Sequence, residues 1–350
     1  MEWYESEIIW VLIKILLLFF VIITGAGYYT LMERKGAGYF QLRYGPNRAG
    51  IFGIFQPLAD GIKFLLKQET LPKNVDIYLF LAAPAISVIT AVLLWSSIPF
   101  TPLIKLPVEV LGKSEVNLQV LNPNSGLLFL FAISSLSVYG ILLAGWSSNN
   151  KYSLLGAVRS TAQMISYELS LSLSIIGVIL MTGHLDIYRI VEAQSKYGWF
   201  LLTIPGFLSF FIFIVSVFAE TNRLPFDLAE AESELIVGYH TEYGAFKFAL
   251  FMVAEYINLI TISFLTALLF FGGWNVPFFL REMLEGLWWG PLVGVLFFVV
   301  KGLFFAFLFI WVRWSLPRFR YDQLMNIGWK YLLPLAIFQI FLSGIYLYIK

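Results

Sequence analysis

The chain has 350 residues, of which 59% are hydrophobic, 18% aromatic and only 13% charged, with a net charge of +1. A charged fraction about half the usual ~25% excludes an ordinary soluble domain, and near-neutrality offers nothing to hold nucleic acid. There is no cysteine, and the two histidines, His184 and His240, lie far apart. That excludes disulfides and thiolate-held zinc or iron–sulfur clusters, and a histidine metal site is not expected.

A bilayer core of ~30 Å takes ~20 apolar residues per helix. Applied along the chain, this predicts an all-α polytopic membrane protein with one membrane domain over residues 1–350. Eight transmembrane helices are expected at about 8–32, 77–98, 125–147, 158–182, 200–219, 247–271, 291–313 and 330–349. Glu2, Glu5 and Glu7 precede the first. A cleaved signal peptide wants a basic start and a shorter core, so this run is expected to stay as a span. An even number of spans puts both termini on one side. Of the 23 Lys and Arg, fifteen fall with the connections 33–76, 148–157, 220–246 and 314–329. Six fall with 99–124, 183–199, 272–290 and the C-terminal residue, and Lys14 and Lys301 lie inside spans. The positive-inside rule makes the first set cytoplasmic and both termini outside.

The first cytoplasmic connection contains a turn signal, Gly45-Pro46-Asn47. After it, Phe55, Leu58, Ile62, Leu65 and Leu66 recur at helical spacing, opposite Gln56, Asp60, Lys63 and Lys67. Pro57 suits a first turn. An amphipathic helix at about 51–67, lying in the membrane interface, is predicted. It is either a plain surface helix with snorkelling lysines or the flank of an opening for an amphipathic molecule. Gly-Ala-Gly at 36–38 is no dinucleotide fingerprint, because Gln41 occupies the third glycine position.

Four ionisable residues fall within expected spans. Lys14 is near an end and can snorkel. Glu168 lies about ten residues into its span and Glu255 about eight, at ~15 and ~12 Å by helical rise, and Lys301 is near the middle of its own. Charges there cost at least ~2.5–3.5 kcal/mol and mark an ion or proton path. The structural alternative is a carboxylate–lysine pair that fixes helix packing. The serines of S-Y-E-L-S-L-S-L-S (166–174) serve either packing or water chains.

The most polar stretch is A-E-T-N-R-L-P-F-D-L-A-E-A-E-S-E-L-I-V-G-Y-H-T-E-Y (219–243), in an acidic loop at about 219–246. It holds six of the 22 acidic residues: Glu220, Asp227, Glu230, Glu232, Glu234 and Glu242. Pro225, Asp227 and Glu230 fit a capped helix start, with Gly238 as its end. Against capping alone, Glu230 and Glu234 share a helix face and repel. No Lys or Arg lies between Arg223 and Lys247. The other reading is a buried acidic line whose pKa values are raised by repulsion and desolvation. No nucleophile–base pair, phosphate loop, G-x-S-x-G or H-E-x-x-H occurs. Any electrons must therefore come from another subunit, which suits proton or ion handling coupled to a partner.

Three stretches resemble a known family: E-R-K (33–35) with Q-L-R-Y-G-P-N-R-A-G (41–50) and Q-P-L-A-D-G-I-K (56–63); the acidic stretch 219–243; and R-W-S-L-P-R-F-R-Y-D-Q-L-M (313–325). Together they are similar to the H (or 1) membrane subunits of respiratory complex I, the proton-pumping NADH:quinone oxidoreductase. One departure is Ala229 and Ala231, where that family often has Pro and Gly. The resemblance implies a subunit of a multi-subunit enzyme, with quinone as substrate and no covalent or metal cofactor on this chain. It implies other membrane-arm subunits and iron–sulfur and flavin peripheral-arm subunits as partners, in the lipid bilayer of an energy-transducing membrane such as a bacterial plasma membrane. It places Arg34, Arg43, Gln56, Asp60 and Lys63 near a quinone chamber. It runs a proton path through Glu220, Glu230, Glu232, Glu234, Glu242, Glu255 and Glu168. The alternatives are the equivalent subunit of a membrane-bound hydrogenase-type complex and a stand-alone ion transporter; the transporter would favour internal repeats, which the sequence lacks.

Overall fold

A computed structural model describes the chain apart from residues 1, 103, 111–112, 117–118, 122, 124, 230–235, 278–289 and 350. Among the described residues, seven helices are long and apolar enough to cross a membrane, and Ile204–Glu220 is a shorter apolar helix. The chain is a multi-pass membrane protein, and each expected span coincides with a helix.

Helix α1 (Glu2–Phe40) does not stop near residue 32 but carries the E-R-K motif on its last turns. Nothing in that motif breaks a helix, and its glycines sit where neighbours come close. A Cβ on Gly36 would meet Ile310 Cγ2 at 2.9 Å, and one on Gly38 would meet the Arg43 carbonyl oxygen at 2.7 Å. Gly-Ala-Gly is thus a packing device. The chain then doubles back: Arg43 N donates to Gly38 O at 2.9 Å. Helix α2 (Gln56–Leu66) has proline in its first turn and no buried residue. Phe55, Leu58, Ile62, Leu65 and Leu66 are all exposed. Such an apolar stripe beside lysines suits a helix lying in a bilayer interface.

Helices α3 (Ile77–Ser96), α4 (Gly126–Ser147), α5 (Lys151–Thr182), α6 (Ile187–Tyr197), α7 (Ile204–Glu220), α8 (Ala245–Phe270), α9 (Gly290–Ser315), α10 (Tyr321–Asn326) and α11 (Leu333–Ile349) follow, with a π-helical turn at Ile327–Leu332. Between α3 and α4, Ile104–Val110 (β1) and Lys113–Val116 (β2) pair antiparallel, with Ile104 opposite Val116. The hairpin occupies a connection, so the membrane bundle itself is helical.

Two helices organise the packing. α5 lies against α4, α7 and α11, while α8 lies against α1, α3 and α9. α5 starts earlier than the expected 158, because Asn150 caps it by accepting from Tyr152 N and Gly183 ends it in the left-handed region. Glu168 is therefore 17 residues into α5, whereas Glu255 is 10 residues into α8. Measured along their own helices, the two carboxylates are not at matching positions.

Lys301 is the clearest departure from the expectation of a path residue or a carboxylate partner. Its Nζ donates to the carbonyls of Phe271, Gly273 and Asn275 at 2.8, 2.8 and 2.9 Å. An ammonium has three protons, and here all three cap the C-terminal end of α8, where a cation also suits the helix dipole.

Candidate functional site

The E-R-K end of α1, the turn at 43–46 and the end of α9 enclose an open cavity of about 570 Å³. Glu33, Arg34, Arg43, Tyr44, Tyr256, Arg313 and Trp314 are among its lining residues. Of the five residues expected near a chamber, Arg34 and Arg43 line it. The other three are joined to it through Arg34. Asp60 Oδ2 lies 2.6 Å from Arg34 Nη1, Gln56 Nε2 donates to Asp60 Oδ1 at 3.0 Å, and Lys63 Nζ is 3.9 Å from the same oxygen. This cluster fastens α2 to α1.

From the wall of the cavity a run of alternating charge leads inward. Glu33 pairs with Arg313 and, at 3.0 Å, with Arg223. Arg223 also reaches Glu255 Oε1 at 2.7 Å. Its guanidinium lies 4.7 Å from the centre of the Tyr256 ring. Arg223 and Glu33 side chains are each only 7% exposed. Burial works against the charge of Arg223, but Glu255 and Glu33 outweigh it and hold its pKa above the usual guanidinium value.

Behind Glu255 lie two small inner cavities of about 60 and 50 Å³. Glu220, Thr221, Asn258, Ser137 and Met164 line both, and Glu255, Asn222 and Tyr239 line the first. Each is large enough for water and carries polar partners for it. Glu168, half-buried on α5, lines neither.

The structure therefore brings Glu255 and Glu220 to one polar interior. It does not bring Glu242 there. That carboxylate accepts from Asn150 Nδ2 at 2.7 Å and faces a separate surface cleft of about 340 Å³ that also holds Lys73 and Lys151. Glu230, Glu232 and Glu234 lie outside the described residues. Asp227, expected as a helix cap, pairs with Arg318 at 2.9 Å. His240 is buried, which lowers its pKa to about 4 and leaves it neutral near pH 7. Tyr243, stacked on Phe80 at 4.0 Å, is pushed up by burial to about 12.

Sequence reasoning missed Glu33, Arg313, Tyr256 and above all Arg223 as members of this site. A signal existed: Arg223 is the last cation before a run of acids that reaches to Lys247.

Comparison with known proteins shows the family. The family described as NADH dehydrogenase matches residues 13–344. The chain is 60% identical over 337 residues to a protein of Leptospira biflexa serovar Patoc named as the H subunit of an NADH-quinone oxidoreductase, covering 95% of this chain and 94% of that protein. It is 46% identical over 348 residues to the second of the NADH-quinone oxidoreductase H subunits of Koribacter versatilis, covering 97% of each. It is 47% identical over 333 residues to the first of those of Geobacter metallireducens, covering 95% of each. By family match and by identity over nearly its whole length, the chain belongs to the NADH dehydrogenase family.

Proposed function

We propose that the chain is the membrane subunit of a proton-translocating NADH:quinone oxidoreductase. It forms much of the quinone chamber and the start of the acidic path that couples quinone reduction to pumping. The observation that carries this reading is Arg223, braced between Glu33 on the 570 Å³ cavity and Glu255 on the small inner one. A change of charge at a quinone in the outer cavity acts first on Glu33, Arg34 and Arg313. Arg223 then redistributes its charge between its two ion pairs, and Glu255 and Glu220 respond across the small cavities. In a low-dielectric interior such coupling is strong.

The chain holds no redox centre in this reading. Electrons arrive from iron–sulfur and flavin subunits of a peripheral arm, which complete the chamber, and protons leave toward other membrane-arm subunits beyond Glu168. α2, with its exposed apolar stripe, flanks the way in for quinone from the bilayer. The complex resides in an energy-transducing membrane, the bacterial plasma membrane, with both termini outside and the acidic loop inside.

The test uses the whole complex, purified and reconstituted in vesicles. Glu168→Gln, Glu220→Gln and Glu255→Gln should each assemble, yet depress quinone reduction and protons moved per NADH. Leu58→Trp should slow long-tailed quinones more than short ones. Normal turnover and pumping in all three Gln variants would sink the path, and equal loss for both quinones would sink the portal.

A further inference from the structure

Gln163 lines none of the cavities described, yet the turn that bears the charged residues hangs on it. It sits on α5 with no exposed surface. Its Nε2 donates to the carbonyl oxygens of Ala219 and Phe226, both at 2.6 Å, and lies 3.3 Å from Asn222 Oδ1. An amide nitrogen has two hydrogens, so the two short bonds take them. Asn222 Oδ1 is served instead by Ser160 Oγ at 3.1 Å, one helical turn earlier on α5. Asn222 itself has φ +50°, the left-handed region that asparagine tolerates better than most residues.

The two bonded carbonyls are at informative places. Ala219 immediately precedes Glu220, Phe226 immediately precedes Asp227, and Arg223 stands between them. One side chain therefore ties both ends of a turn whose charges leave in three directions: Glu220 into the inner cavities, Arg223 to Glu33 and Glu255, and Asp227 to Arg318. The same helix carries Glu168 five residues on and packs along α7, which ends at Glu220. Among the described residues nothing bonds Gln163 Oε1. A buried acceptor without a partner costs ~1–3 kcal/mol, and the site tolerates it in order to aim the amide nitrogen at both carbonyls.

We propose that Gln163 is a positioning residue of the proton path: by clamping the Ala219–Phe226 turn to α5, it sets how Glu168 and Glu220 face the Arg223–Glu255 pair. This rests on the path reading given above. A plain core brace would serve assembly alone; a positioning clamp also sets the rate and its pH dependence. Glutamate at this position separates the two. Ionised, it repels both carbonyls; protonated, it can donate to one of them.

The experiment compares Gln163→Leu, Gln163→Glu, Ser160→Ala and the control Glu220→Gln in the assembled complex, with activity normalised to complex content. Gln163→Leu should lower kcat for quinone about tenfold, equivalent to ~1.4 kcal/mol, with KM unchanged within about twofold. Gln163→Glu should lose more at pH 9 than at pH 6, where the protonated acid restores one of the two bonds, while the parent shows no such difference. Ser160→Ala should lose about two- to threefold in the same direction. The proposal is overturned if the assembled Gln163 variants keep the parent's kcat and pH profile beside a defective Glu220→Gln. It is also overturned if every Gln163 variant fails to assemble, which makes the residue a folding brace. A fully active Glu220→Gln would instead take Glu220 out of the path, and this proposal with it.

Discussion

Replacing Arg223 by methionine tests the central geometry most directly. The substitution keeps bulk but deletes the charge that Glu33 and Glu255 share. Glu33 retains Arg313, so the loss falls chiefly on Glu255, whose oxygen lies 2.7 Å from the guanidinium. Removing one partner of a buried pair costs ~3–5 kcal/mol, because the other charge stays in a dry site. The lower end fits here, since Glu255 is about one-fifth exposed. At ~2 °C per kcal/mol for a large domain, the expected fall in apparent Tm is about 6 °C. A complex of this kind unfolds irreversibly, so the comparison needs one heating rate, with retained quinone reductase activity as the readout. The decisive arm is the double variant Arg223→Met with Glu255→Gln. Removing both charges should restore ~2 kcal/mol of the loss, a coupling that additive sites never show. Single and double variants that lose stability additively, or an Arg223→Met complex as stable as the parent, would refute the bridge.

Two further outcomes follow from groups outside the proposed path. His240 is 2% exposed, and burial lowers its pKa from 6.5 to about 4. The unfolded chain therefore takes up a proton below pH 6.5 while the folded chain does not until about pH 4. Stability is full above pH 6.5 and falls as pH drops to 4, by ~3 kcal/mol at 1.36 kcal/mol per unit. His240→Phe should flatten that part of the Tm–pH curve, and parallel curves would contradict the buried neutral imidazole. Lys301→Met strips three carbonyls of their donor, at a cost of ~3 kcal/mol or more in stability. Protons pumped per NADH in surviving complexes should match the parent, and a selective loss of pumping would return Lys301 to the path.

The spans are legible because a bilayer imposes one length and one polarity on each of them. The limit of that signal shows at Glu33. Hydropathy drops at E-R-K, so the expected span ends near 32, yet hydrogen bonding continues the helix to Phe40. Glu33 thus belongs to the membrane-facing bundle, where it meets Arg223 across 190 residues of sequence. No local spacing rule sees such a pair. Lys301 shows the converse error. A charge in mid-span is costly, and cost by itself suggests function; here the expense is offset by carbonyls at the end of a different helix. Glu242 shows why neighbours in an acidic run need not face one cavity. After Gly238 at φ +67° the backbone turns, and Glu242 is fastened to Asn150 beside a surface cleft. The residues that meet at the inner cavities come instead from α3, α4, α5, α7 and α8 and from the loop after α7. A sequence can say which carboxylates fall deep within an expected span. Which of them share a cavity depends on how far each helix runs and on what clamps the turns between them, and at Glu220 and Arg223 that clamp is one uncharged side chain, Gln163.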